Sequence, residues 1–177
     1  MSTNEHREAA GKRAVQCAVL TVSDTRTAET DVGGDTVCRI LEEHGHTVVQ
    51  RGICPDEASE IGRVLGWWLD DESIQAVVTT GGTGISPRDT TIEIVERLLT
   101  TKMDGFGELF RMLSWDEVGA AAMLSRATAG LAVRQEGPAA RDIFVFAIPG
   151  SVNAVETAVG KLIAPELSHL VWERKKR

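Results

Sequence analysis

Residues Ala76 to Thr91 read AVVTTGGTGISPRDTT. The first five residues are small, β-branched and apolar, the pattern of a strand buried on both faces of a parallel sheet. Gly81, Gly82 and Gly84 then end the strand, because glycine takes positive φ and lets a ligand approach the backbone. Thr83 and Ser86 add hydroxyl donors, so the loop suits an anion. Pro87-Arg88-Asp89-Thr90 places a cation, a carboxylate and a hydroxyl ahead of Ile92, Val95, Leu98 and Leu99. That spacing predicts a helix over Thr91 to Thr100, capped by Thr90 or Asp89.

Working outward, the same unit recurs. Gln16 to Val22 is an apolar strand ending in Ser23-Asp24-Thr25. Asp31 to Asp35 is a turn, and Val37, Ile40 and Leu41 give one face of a helix that stops at His44-Gly45. His46 to Cys54 is strand-like but more polar, which suits a sheet edge. Pro55-Asp56-Glu57 follows it, ahead of the helical pattern Ile61, Val64, Leu65, Trp68 and Leu69. Alternating strands and helices predict parallel crossovers, so Ser23, Asp56 and the glycine loop become neighbours on one sheet edge.

Downstream, Gly105 to Ser114 reads as a loop entering a helix, and Val118 to Val133 as small residues that permit close backbone packing. Arg134 to Arg141 reads as a polar loop, Ile143 to Ile148 as a buried strand, and Pro149-Gly150-Ser151 as the turn into a last amphipathic helix through Leu162 to Val171. The expected architecture is a single-domain α/β three-layer sandwich with a mostly parallel sheet flanked by helices. Residues 1–13 are expected to form a flexible polar tail, 14–172 the domain, and 173–177 a basic tail.

The 177 residues suffice for one domain with a substantial core, and 42% hydrophobic with 25% charged residues is ordinary soluble usage. No apolar run is long enough for a membrane span, and Met1 to Arg13 lacks the apolar core of an export signal, so a cytoplasmic protein is expected. A net charge of -7 argues against nucleic acid as a partner. Cys17, Cys38 and Cys54 form no CxxC pair, which points away from a zinc site or disulfide framework, with Cys17 a buried small hydrophobe. His44 and His46 flank a turn and read as surface residues. The tryptophans at 67, 68, 115 and 172 read as core or interface packing.

The glycine loop is neither a Walker loop, which needs a closing Gly-Lys-Ser/Thr, nor a dinucleotide fingerprint, whose glycine spacing differs. Asp56 and Asp89 follow separate strands and, with phosphate oxygens, form a set that suits magnesium; each also fits a helix cap. Ser23 and Ser125 fit phosphate donors or local backbone partners equally. Arg88 fits an ion pair with Asp89, and Arg126 fits an anion contact or a helix surface. A glycine loop with two carboxylates serves any magnesium nucleotide, so a nucleotide-binding regulator fits these residues as well.

The runs LTVSDT (Leu20 to Thr25), PDEA (Pro55 to Ala58), TTGGTGISPRDTT (Thr79 to Thr91), GFGELFR (Gly105 to Arg111), MLSRATAG (Met123 to Gly130) and IPGS (Ile148 to Ser151) resemble the molybdopterin-binding family of molybdenum cofactor biosynthesis. Within it the MoaB branch is most similar, with MogA related. The resemblance covers nearly Val15 to Leu170. It implies binding of molybdopterin and its adenylation with magnesium ATP, giving adenylated molybdopterin and pyrophosphate; the alternative is a molybdopterin carrier or oligomeric scaffold without chemistry. It places the catalytic and metal-binding roles on Asp56 and Asp89. Substrate contact falls on Ser23, Asp24, Thr80, Gly81, Gly82, Thr83, Gly84, Arg88, Ser125, Pro149, Gly150 and Ser151. It further implies a trimer or hexamer, with Phe106, Leu109, Phe110, Met112 and Leu113 fitting a subunit contact or core packing, and contact with other molybdenum cofactor enzymes. One position departs: Ala147 stands where other members carry asparagine.

Overall fold

The computed structural model describes residues 13–134 and 140–175. Most of the expected N-terminal tail, the end of the basic C-terminal tail and the centre of the expected Arg134 to Arg141 loop lie outside the described residues.

The first half of the chain is the predicted alternation: β1 (Gln16–Val22), α1 (Val32–Glu43), β2 (Thr47–Cys54), α2 (Ala58–Asp70), β3 (Ala76–Thr80) and α3 (Thr91–Leu98). There follow β4 (Thr101–Lys102), α4 (Asp104–Val118), a 3-10 turn (Gly119–Leu124), β5 (Thr128–Arg134) and β6 (Arg141–Ile148). The chain closes with α5 (Val152–Val155), a π-helical stretch (Glu156–Ile163) and α6 (Ala164–Lys175), which run on without a break. One six-stranded sheet has the order β2-β1-β3-β6-β5-β4. β2, β1, β3 and β6 are parallel neighbours, whereas β5 runs antiparallel to β6, and β4 antiparallel to β5. The more polar β2 is an edge strand, as its composition suggests.

The period-2 geometry of a strand makes the three layers. Along β1, Cys17 and Val19 join one apolar cluster with Val37 and Leu41 of α1, Phe106 and Phe110 of α4, and Val159, Ile163 and Leu167 of the last helix. Ala18, Leu20 and Val22 join the other, with Ile61, Leu65 and Leu69 of α2 and Ile92 and Val95 of α3. Burying each such Leu or Ile stabilises the fold by about 1.5–3 kcal/mol.

Several expectations are corrected. α3 ends at Leu98, not Thr100, because Thr100 N donates to Leu131 O at 2.7 Å and the chain turns into β4. The small residues of Thr128 to Val133 are a strand, and a Cβ on Gly130 would collide with the carbonyl of Thr101 on β4. Gly105 and Gly107 lie inside α4, which starts at Asp104. His46 is 5% exposed and buried, not on the surface: its Nδ1 accepts the Val15 N–H and its Nε2 lies 2.9 Å from Ala164 O. Trp68 is in the core, but Trp67 and Trp115 are exposed, with Arg63 stacked over Trp67. Phe106 and Phe110 are core residues, whereas Leu109 and Met112 face outward.

Pro165 follows the π-helical stretch closely and has no N–H for the carbonyl four residues back. One residue earlier, Ala164 N already donates five residues back, to Val159 O. Among the described residues no helix is long and apolar enough to cross a membrane.

Candidate active site

Thr80, the last residue of β3, lies level with Thr21 of β1 and Ile148 of β6, so the loops after three parallel strands start side by side. Gly81 has φ +97° and donates its N–H to Ile148 O at 3.1 Å; a side chain there would collide with the carbonyl of Val22. Gly82, at φ +60°, lies where a Cβ would collide with Thr91 Oγ1 and stand 2.9 Å from Asp56 Oδ1. Both positions require glycine for conformation and for space. Thr80 Oγ1 donates to Pro149 O at 3.1 Å, and Gly150 packs against Gly81, which ties the Pro149-Gly150-Ser151 turn to the glycine loop. Ser151 caps the last helix by accepting the Ala154 N–H. Thr21, Ser23, Arg26, Gly33, Gly81 and Gly150 line a small crevice at the point where the sheet order reverses between β1 and β3. Open parallel sheets bind ligands at such switch points.

The expected carboxylates gather on the other side of Gly82. Asp56 N donates to Asp24 Oδ1 at 3.0 Å, joining the loops after β2 and β1. Asp89 Oδ2 accepts the Ser86 N–H at 2.8 Å and closes its own loop. Neither aspartate caps a helix: Glu57 and Thr90 hold the two cap positions, without a side-chain cap bond. Asp56 Oδ1 is buried with no hydrogen-bond partner among the described residues. Burial first, then the charges of Asp89 and Asp24, raise the Asp56 pKa above the ordinary 3.8, and Arg88 opposes them. Arg88 does not pair with Asp89; its Nη2 reaches Asp24 Oδ2 at 2.9 Å and Glu57 Oε1 at 3.0 Å, fastening three loops.

Ser23 Oγ accepts the amides of Thr25 and Arg26, each at 3.2 Å, so the hydroxyl shapes its own turn. Ser125 belongs to the turn that leads into Arg126, whose guanidinium donates to the carbonyls of Thr83, Gly84 and Asp89 and pairs with Glu93. Ser125 therefore stands next to the residue that touches the glycine loop. Asp31, buried at 1% exposure, has no place among the expected site residues. It accepts from Thr21 Oγ1 at 2.7 Å and from Gly34 N at 2.9 Å, and pairs with Arg51 at 3.0 Å, fixing the N-terminus of α1 beside the crevice. The signal for it was an aspartate just before Val32-Gly33-Gly34, an N-cap pattern.

Among the described residues no group of three or more His, Cys, Asp and Glu side chains converges to hold an ion alone. Asp56 with Asp89 suits magnesium, which takes one or two carboxylates and completes its shell with phosphate oxygens and water. The orphaned Asp56 Oδ1 and the mutual repulsion of Asp24, Asp56 and Asp89 are the features a cation would relieve.

The family described as probable molybdopterin binding domain matches residues 18–169. The chain belongs to this family. A Molybdenum cofactor biosynthesis protein B of Staphylococcus carnosus is 46% identical over 179 residues, covering 99% of this chain and 100% of its own. The Bacillus subtilis protein of the same name is 45% identical over 177 residues, covering 99% of both chains. A crystal structure of the tungsten cofactor synthesizing protein MoaB from Pyrococcus furiosus superposes with a TM-score of 0.81 at 37% identity, covering 93% of this chain and 99% of that one. The α/β fold of this protein is thus that of the MoaB and MogA structures. Ala147, the departure from the family pattern, is fully buried in the apolar cluster beneath the sheet.

Proposed function

We propose that this member of the molybdenum cofactor biosynthesis family adenylates molybdopterin with magnesium ATP. The single observation that carries the reading is Asp56: a carboxylate with a buried oxygen that has no partner among the described residues, facing the charges of Asp89 and Asp24, beside Gly82 of the glycine loop. Phosphoryl chemistry needs this combination, because positioning and charge neutralisation supply nearly all of its catalysis.

In this reading the phosphate oxygen of molybdopterin attacks the α-phosphorus of ATP, the bond from that phosphorus to the bridging oxygen breaks, and pyrophosphate leaves. Asp56 and Asp89 hold magnesium, which supplies neutralisation of charge on the phosphates. The Gly82 to Gly84 amides hold phosphate while the Gly81 N–H stays on Ile148 O, Ser23 and the Pro149-Gly150-Ser151 turn border the nucleotide side, and Ser125 the pterin phosphate. Arg88 holds the loops after β1, β2 and β3 in register and counters the carboxylate charge.

The reading includes a trimer or hexamer. Exposed Met112, Trp115 and Met123 share one apolar surface with Ala120 and Ala122, which supports burial against another copy. The deciding experiment is pyrophosphate release from ATP with purified protein, molybdopterin and magnesium. Release that depends on molybdopterin is the expected result, and tight pterin binding without release would leave a carrier instead.

A further inference from the structure

Arg126 comes from a part of the chain that follows no parallel strand, yet its guanidinium makes four hydrogen bonds, two of them to carbonyls of the glycine loop. Nε donates to Thr83 O at 2.9 Å, and Nη2 donates to Gly84 O at 2.6 Å and to Asp89 O at 3.0 Å. Nη1 pairs with Glu93 of α3, whose carboxyl it holds below the ordinary range. The carbonyl of Gly82 is held too, by the Thr91 N–H at 3.1 Å.

All peptides here are trans, so each carbonyl and the N–H of the following residue point in opposite directions. Holding the carbonyls of Gly82, Thr83 and Gly84 therefore turns the N–H groups of Thr83, Gly84 and Ile85 away from their anchors. Those three amides have no protein acceptor among the described residues. Consecutive amides aimed at one point make an anion receptor. We propose that Arg126 is the positioning residue of this receptor: it shapes the loop by binding the backs of its peptides, and the loop, not Arg126, touches the phosphates of the nucleotide. This rests on the adenylation reading for the identity of the anion.

The test compares wild-type protein with Arg126→Ala, Arg126→Lys and Glu93→Gln, titrated with ATP and, separately, with inorganic pyrophosphate. Amide resonances of Thr83 to Ile85 are recorded without ligand. Loss of charged hydrogen bonds to the loop predicts roughly 10- to 100-fold weaker binding of both probes by Arg126→Ala. Arg126→Lys is expected to be nearly as weak, since one ammonium cannot span three carbonyls. Sub-denaturing guanidinium restores part of the affinity of Arg126→Ala, the ligand-free loop amides shift in that variant, and Glu93→Gln binds like wild type. If Arg126→Ala does not fold, Arg126→Lys carries the same comparison. Wild-type affinity in the Arg126 variants would overturn this assignment and leave the adenylation reading standing. Weak binding with unshifted loop amides would overturn it as well, because Arg126 would then be a direct ligand. Absence of ATP and pyrophosphate binding in the wild type would remove both readings.

Discussion

The backbone N–H of Asp56 donates to Oδ1 of Asp24 at 3.0 Å. This one bond sets two carboxylate-bearing loops against each other, and Arg88 completes the attachment from a third.

Asp56→Asn tests the electrostatic consequence. The raised pKa of Asp56 means that its contribution to stability is fully present below the ordinary value of 3.8 and is lost as pH rises through the folded value. Removing the ionisable group removes that loss. Urea unfolding from about pH 4 to about pH 8 is therefore expected to show the variant gaining on the wild type as pH rises. Pyrophosphate release is expected to fall on the order of 100-fold.

Gly81→Ala addresses the crossing of β1 and β3. A methyl group there collides with a main-chain carbonyl and forces an L-residue to φ +97°. The expected cost is about 2–4 kcal/mol by denaturant unfolding. Gly62→Ala, in α2 with open space around the new methyl, is expected to stabilise by about 0.5–1 kcal/mol.

His46 holds the start of β1 to the junction of the last helix. With Nδ1 accepting from Val15, Nε2 carries the proton and donates to Ala164 O. His46→Phe keeps the volume, leaves the Val15 N–H without its partner and removes the imidazole bond to Ala164 O, at an expected cost of about 1–3 kcal/mol in thermal or urea unfolding. Because these contacts lie away from the glycine loop, pyrophosphate release by the folded variant is expected at the wild-type rate.

Glu117 of α4 carries a second pH dependence of opposite sign. The Thr157 hydroxyl first, then Lys161, with burial opposing and Asn153 assisting, hold its carboxyl below the ordinary 4.5. That stabilisation is present above 4.5 and lost as pH falls through the depressed value. Acid unfolding of Glu117→Gln is expected to be shallower than that of the wild type below 4.5.

The parallel half of the fold was legible because its signals are local. Gln16 to Val22 and Ala76 to Thr80 are short apolar runs closed by turn residues, and the pairs Ser23-Asp24, Asp56-Glu57 and Gly81-Gly82 follow from strand direction alone. Thr128 to Val133 was illegible as a strand because its Ala and Gly residues carry no β preference, and their smallness serves the close approach of β4. His46 was misread because nothing nearby in sequence names its partner, Ala164, which lies 118 residues away. The ion pair of Arg88 went to Asp24 and Glu57 instead of its neighbour Asp89 for the same reason: adjacency in sequence is not adjacency across a sheet edge. Arg126 had two open readings, an anion contact or a helix surface, and its partners, the carbonyls of Thr83, Gly84 and Asp89 and the carboxylate of Glu93, lie 33 to 43 positions away in sequence.

The place of β6 in the sheet bears on the order of assembly. It is inserted between β3 and β5, pairing Ala76 with Phe144 across 68 positions of chain, while β1, β2 and β3 join through short crossovers. Closure of long loops is the slow part of building such a sheet. Gly81 donates its N–H to Ile148, and Gly150 packs on Gly81, so the glycine loop cannot reach its final shape until this late strand arrives. On a chain growing from its N-terminus, Asp24, Asp56 and Asp89 are all made before the strand that completes the loop between them.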